Sequence, residues 1–167
     1  MIGPSTAVVW DLDSTVADSR HRHHLRPSQP ENRGNPEFTW TRYSLACSGD
    51  APMAGSVALM RLLWPYHVQI AVSGRSQEAQ ELTEEWAATH DVPLDRIILR
   101  GTGNYTPNGL LKVQRIGDIQ QQLRVVMAME DWAGDAQEIR AAFPKIPVLV
   151  VNPEYDFCTC VGSSGPV

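Results

Sequence analysis

A chain of 167 residues, 43% hydrophobic and 20% charged, has the size and mixture of one soluble globular domain with a real core. Its net charge of −5 excludes a tight, sequence-independent grip on a polynucleotide, which takes many lysine and arginine contacts to phosphate. No apolar run reaches membrane-span length and the N-terminus lacks a basic-then-apolar signal pattern, so a cytoplasmic location is expected, and three cysteines (Cys47, Cys158, Cys160) do not make a disulfide framework.

Ala7–Trp10 is the first predicted strand, an apolar run that stops abruptly at Asp11 and Asp13. Residues at i and i+2 of an extended segment point to the same side, so two carboxylates are aimed together and repel. A divalent cation with a phosphoryl group between them is the economical compensation. A basic run follows, with Arg20, Arg22 and Arg26 interleaved with His21, His23 and His24, suited to a local hold on one phosphorylated terminus or nucleotide. The histidines have no partner at a metal-ligand spacing and are expected to flank the arginines. Residues 25–53 break the pattern, punctuated by Pro27, Pro30, Gly34, Pro36, Gly49 and Pro52, with a short helix expected over Thr39–Cys47 carrying Trp40 and Tyr43. An insertion of this length directly after the first strand's turn is expected to form a small lid.

Gly55–Trp64 reads as a helix sending Val57, Met60, Leu63 and Trp64 to the core, ended by Pro65. Val68–Val72 is a second strand, followed by Ser73-Gly74-Arg75 as a strand-to-helix turn. Ser76 then caps a helix with Ala79, Leu82 and Trp86 on one face. A strand at Ile97–Leu99 precedes a helix over Gly109–Leu123, with Leu110, Val113 and Ile116 inward and Lys112 near its start. Val125–Met129 is a strand ending in Glu130-Asp131. Gly134–Phe143 is a helix with Ala136, Ile139 and Phe143 inward, stopped by Pro144, and Val148–Val151 is the last strand. Residues 152–167 read as an irregular tail, frayed from Gly162, where Cys158 and Cys160 are most simply a reduced pair.

Strands alternating with helices predict an α/β fold, a central parallel sheet covered by helices on both faces. Right-handed crossovers gather the strands' C-terminal ends on one edge, where ligands bind, and Asp11, Ser73 and Asp131 all follow strands. Asp11 is the candidate nucleophile, able to attack phosphorus and form an aspartyl-phosphate. Asp13 is the candidate general acid, later the base for the hydrolytic water.

Asp11-Leu12-Asp13-Ser14-Thr15, Ser73-Gly74-Arg75, Lys112 and Glu130-Asp131 with Asp135 together resemble the four motifs of the haloacid dehalogenase-like (HAD) superfamily, spread over Asp11–Asp135. The resemblance implies a Rossmann-like HAD fold over residues 1–167 as a single domain, with residues 25–53 as its small lid. It implies a phosphoryl-oxygen contact from Ser73, close backbone approach at Gly74, charge compensation by Lys112, and a Mg²⁺ site of Asp11, the backbone carbonyl of Asp13 and Asp131. Asp135 or Glu130 is the spare acid. Asp13 implies phosphate-ester chemistry. The chain has Ser14 where the family usually has Gly, and Glu130 where its acidic motif often begins with Asp.

Asp18-Ser-Arg-His-Arg, then Trp40, Tyr43, Cys47, Asp50 and Pro52, is similar to the 3′-phosphatase domain of phage polynucleotide kinases and related stand-alone phage phosphatases. That likeness implies Arg22 and Arg75 on substrate phosphate, with Arg20 their neighbour and Thr15 beside them. Asn108 stands where that family has an acid, and no kinase P-loop is present. The implied activity is removal of a 3′-phosphate from nucleic-acid ends, in the host cytoplasm if phage-encoded. A 5′(3′)-nucleotidase on free mononucleotides and a weakly catalytic phospho-ligand binding module are the alternatives. DNA or RNA preference and oligomeric state stay open.

Overall fold

The computed structural model describes residues 5–152 and the backbone of Phe157–Cys158. Thr6–Trp10 forms β1, whose side chains alternate between two apolar layers. Val8 and Trp10 join Met60 and Trp86 on one side, while Ala7 and Val9 join Ile116 and Ile139 on the other. A continuous apolar run therefore suits this strand, because both of its faces are covered.

The chain next makes β2 (Ala17–Asp18) and leaves the sheet. It passes through 3₁₀ turns at Arg20–Leu25 and Pro30–Asn32, helix α1 (Trp40–Leu45) and a 3₁₀ turn at Ala46–Gly49, and returns as β3 (Ala51–Pro52). β2 and β3 pair antiparallel, so the insertion is closed at its base by a two-stranded ribbon. The expected short helix is present, capped by Thr39, whose hydroxyl accepts from the Arg42 N–H at 3.0 Å.

The remaining elements are α2 (Ala54–Leu63), β4 (Val68–Ser76), α3 (Gln80–Thr89), β5 (Arg96–Arg100), α4 (Asn108–Gln120), β6 (Arg124–Glu130), α5 (Ala133–Ala142), β7 (Val148–Asn152) and β8 (Phe157–Cys158). The sheet order is β5-β4-β1-β6-β7-β8, parallel except for β8, which pairs antiparallel with β7. Helices α2 and α3 supply one apolar layer (Val57, Met60, Trp86, Ala87), and α4 and α5 supply the other (Ile116, Ile119, Ala136, Ile139). From β1 the chain works outward through β4 to β5, then crosses back to β6 on the other side of β1. This reversal is a topological switch point at the carboxyl end of β1, the place where open α/β sheets bind ligands.

Four expectations change. Ser73-Gly74-Arg75 lies inside β4 rather than after it, at a register break between Val72 and Ser76. The following helix starts at Gln80 after a 3₁₀ turn, and the Ser76 hydroxyl bonds the Thr41 hydroxyl at 3.1 Å instead of capping. Leu110 is half exposed while Leu111 is buried, because the rotation of α4 that turns Lys112 inward carries Leu110 outward. Trp64 is 53% exposed, since α2 ends at Leu63 before the chain turns into β4. The expected irregular tail contains β8; Cys160 and the segment from Gly162 lie outside the described residues. Among the described residues, no helix is long and apolar enough to cross a membrane.

Candidate active site

The turn after β1 is built on one carbonyl. The Leu12 oxygen accepts the N–H groups of Thr15, Val16 and Ala17 at 3.2, 2.9 and 2.8 Å. This tight closure needs a left-handed residue, and Ser14 supplies it at φ 67°. Its hydroxyl lies 3.2 Å from that of Ser19, a bond glycine would lack. Asp11 is tied to β6 by its N–H on the Met129 carbonyl at 3.0 Å, and Thr15, fully buried, donates to Asp11 Oδ2 at 3.4 Å.

Lys112 enters from the second turn of α4 and is 4% exposed. Its Nζ stands 2.9 Å from Asp11 Oδ1, 2.5 Å from Glu130 Oε2 and 3.3 Å from Asp135 Oδ2. Burial alone would push the ammonium toward neutrality, but the Asp11 and Glu130 carboxylates outweigh it and hold its pKa above the usual lysine range. Asp135 thus serves Lys112. It does not cap α5, whose N-cap position is Trp132 without a side-chain bond.

Asp11, Glu130 and Asp131 each offer a carboxylate oxygen, and the three atoms lie within 4.8 Å of one another. Burial, and then the neighbouring Asp11 charge, push both Glu130 and Asp131 upward, Asp131 to about 7. Asp11 is raised as well, chiefly by burial. Three acids that share one buried ammonium and offer hard oxygen donors suit a cation such as Mg²⁺, so the donor set fits. Glu130 has both oxygens engaged, Oε2 by Lys112 and Oε1 by the Trp132 N–H at 3.3 Å. Asp131 has neither of these partners, and Asp11, although bonded by Lys112 and Thr15, lies with it and Glu130 in one cluster of carboxylate oxygens.

Asp13 stands apart, across the turn. Arg22 Nη2 reaches its Oδ1 at 2.5 Å, and Arg75 Nε reaches the same oxygen at 2.7 Å. Burial pushes the Asp13 carboxyl up, yet the two guanidiniums prevail and hold it below the ordinary value. Arg22 and Arg75, expected on substrate phosphate, are both buried and both also bond Asp50, while Arg22 Nη1 donates to the Tyr43 carbonyl at 3.1 Å and Arg75 Nη1 to the Thr83 hydroxyl at 3.3 Å. Arg20 is not brought to the cluster; its guanidinium pairs with Asp18 at the surface, 2.5 Å away. Ser73 is buried, with its Oγ accepting the Arg75 N–H at 3.3 Å. Asn108 packs closely on Gly74, where a Cβ would stand 2.6 Å from Asn108 Oδ1 and the amide would have to shift. Asn108 in turn accepts from Arg100, which also donates to the Gly74 carbonyl at 3.3 Å.

Two partners escaped sequence reasoning. Glu130 pairs with Lys112 across 18 residues, and Asp50 pairs with Arg22 across 28 and Arg75 across 25. No spacing signal marks such pairs. The histidines flank this network, His21 on Asp50 at 2.9 Å and His23 between Ser19 and Arg26.

No protein-family model matches the chain, and no curated protein matches it by sequence. Solved structures do match by fold. A chain of a Pnkp1/Rnl/Hen1 complex superimposes with a TM-score of 0.68 at 20% identity, over 90% of this chain and 47% of that one. This protein therefore spans about half the length of that neighbour; a second structure of the assembly describes it as an RNA repair complex. A haloacid dehalogenase-like hydrolase from Streptococcus pneumoniae matches with a TM-score of 0.57 at 15% identity, over 91% of this chain and 86% of that one. The HAD domain of the effector Lem4 from Legionella pneumophila matches at 0.52 and 10% identity, over 91% and 87%. The fold is that of HAD-like hydrolases.

Proposed function

We propose that this chain is a Mg²⁺-dependent phosphomonoester hydrolase that removes the 3′-phosphate from nucleic-acid ends through an aspartyl-phosphate. The observation that carries the reading is the placement of Asp11 at the sheet's switch point, with Oδ1 2.9 Å from Lys112 Nζ and the Glu130 and Asp131 carboxylates alongside. A buried carboxylate held by a lysine and backed by further acids is costly as architecture and useful as a nucleophile.

Asp11 attacks phosphorus in line and the ester P–O bond breaks. Asp13, which the two guanidiniums keep ionised at rest, takes up a proton from solvent and gives it to the departing alkoxide, then takes one from the water that attacks the aspartyl-phosphate and returns it to solvent, releasing phosphate and restoring both carboxylates. Lys112 and the Ser73 hydroxyl offset charge on the transferring oxygens. Mg²⁺, held by Asp11, Asp131 and the Asp13 carbonyl, would supply charge neutralisation of the phosphoryl group against the carboxylates.

The nucleic-acid end is favoured by the motif resemblance after Asp18 and by the fold likeness to a chain of an RNA repair complex. Phosphate release should be compared on a 3′-phosphorylated oligonucleotide, a 5′-phosphorylated one and nucleoside monophosphates. The 3′-end should be hydrolysed at least about 10-fold faster, and Asp11→Asn should remove about 1,000-fold or more of the rate. Equal rates on all three substrates would refute the end preference, and activity surviving in Asp11→Asn would refute the mechanism.

A further inference from the structure

Among the described residues, five aromatic side chains are more than half exposed: Trp40, Trp64, Tyr66, Tyr105 and Trp132. Trp64 and Tyr66 stand in the turn before β4, at the amino end of the sheet. The other three share the opposite edge. Strands β1, β4, β5 and β6 run parallel, so their carboxyl ends lie together, with Asp11 following β1. Tyr105 is in the turn after β5, and Trp132 is two residues past the end of β6. Trp40 opens α1, which is pinned to the last residue of β4. The Ser76 N–H donates to Ser44 Oγ at 3.0 Å, and the Thr41 and Ser76 hydroxyls lie 3.1 Å apart. The sheet order sets β4 and β5 on one side of β1 and β6 on the other, so aromatic rings flank Asp11 from both sides.

The backbone beneath each ring is fixed. Arg100 Nη1 donates to the carbonyls on either side of Tyr105, Asn104 at 3.1 Å and Thr106 at 2.5 Å, and its Nε donates to the Gly74 carbonyl at 3.3 Å. Asn104 Oδ1 accepts the Thr106 N–H at 2.9 Å, closing the turn with the Tyr105 side chain 94% exposed. The Trp132 N–H is held by Glu130 Oε1 at 3.3 Å, and its indole lies against the first turn of α5, where a Cβ on Gly134 would stand 2.8 Å from Nε1. Trp40 meets the Tyr43 ring edge-on at 5.7 Å. Single exposed aromatics are ordinary, but three on anchored backbone around one nucleophile are a surface prepared for flat apolar partners.

Charge says which partner. Arg22, Arg75 and Lys112, the cations brought to this edge, are each paired with buried carboxylates, and the chain as a whole carries −5. A strand's phosphate backbone therefore finds little to hold it here, whereas stacking of its bases on aromatic rings needs no cation and tolerates any sequence. We propose that Tyr105 and Trp132, with Trp40 on the insertion, form a stacking rim for the unpaired bases of a single strand whose 3′-phosphate reaches Asp11. The proposal rests on the 3′-end reading above and deepens it. Bases inside a duplex have no free face, so the substrate is an unpaired end. A mononucleotide engages one flank of the rim with its one base, while a strand engages both.

The test compares two 3′-phosphorylated strands of four nucleotides, one with bases and one abasic throughout, which share the same backbone charge and the same scissile ester. Wild type should show a KM at least about 10-fold lower on the strand with bases. Tyr105→Ala and Trp132→Ala should each raise that KM about 5- to 10-fold and leave kcat/KM on the abasic strand within about 2-fold, and Trp132→Phe should recover most of the loss. Trp40 is left out because it packs on Tyr43, whose ring stands 4.2 Å from the Arg22 guanidinium carbon. Equal KM values of wild type on the two strands overturn the proposal. So does an equal loss on both strands in either alanine variant, the mark of a merely structural role. Wild type that hydrolyses neither strand overturns the 3′-end reading and this proposal with it, an outcome distinct from an active wild type indifferent to bases.

Discussion

Glu130 and Asp131 are neighbours with opposite duties. Both bring a carboxylate oxygen to within 4.8 Å of one of Asp11, but Glu130 is also held by Lys112 and the Trp132 N–H. Burial and mutual repulsion raise the pKa of Asp11, Glu130 and Asp131 above the ordinary carboxylate range, Asp131 to about 7. A raised carboxyl keeps its proton longer in the folded state than in the unfolded one. Stability is therefore fully present below the ordinary carboxylate pKa and is lost as pH rises through about 7 and beyond. A cation that demands the ionised form reverses the loss. Thermal unfolding without divalent ions should show a midpoint that falls between pH 5 and pH 8, and Mg²⁺ should raise the midpoint more at pH 8 than at pH 5. A Mg²⁺ increment that is the same at both would refute this account of the acidic trio.

At the scale of elements, the turn after β1 does most to place the chemistry. Three N–H groups on one carbonyl demand a left-handed residue, and Ser14 meets the demand at φ 67° while its hydroxyl reaches Ser19. Glycine would relieve about 1–2 kcal/mol of backbone strain and lose a hydrogen bond worth about 0.5–1.5 kcal/mol, so Ser14→Gly should leave stability within about 1 kcal/mol. Ser14→Val, β-branched at positive φ, should cost about 2–3 kcal/mol in denaturant unfolding and depress activity, because Asp11 and Asp13 both hang on this turn. A valine variant as stable as wild type would show that the turn opens freely. The helix that follows β5 teaches a related lesson. Its apolar pattern alone suggests Leu110 inward, whereas the helix turns to bury Lys112 and Leu111, because a lysine committed to three carboxylates sets the rotation. β4 likewise runs on to Ser76 past Gly74, which lets α4 begin against its backbone at Asn108.

For the whole molecule, two apolar layers hold a parallel sheet whose buried charged groups gather at the carboxyl end of its central strands, so core and chemistry are separable. Ile139→Ala, removing a side chain 2% exposed between α5 and the sheet, should cost about 2–5 kcal/mol by denaturant unfolding. Its activity per folded molecule should stay within about 3-fold of wild type, and a large loss of kcat at full folding would contradict that separation. The sequence by itself determined the alternation of strands and helices, the two acids that end β1, and the order of Ser73, Lys112 and Asp131 along the chain. Each of these is a local pattern, written in apolar period or in a spacing of a few residues. Only the tertiary structure decided that Glu130 belongs to Lys112, that Arg22 and Arg75 hold Asp13, and that Asp50 at the end of the insertion holds them both. Those are pairings of charges far apart in the chain. Burial forces each charge to find a partner, but which partner it finds depends on where the fold brings the ends of β1, β4 and the insertion together.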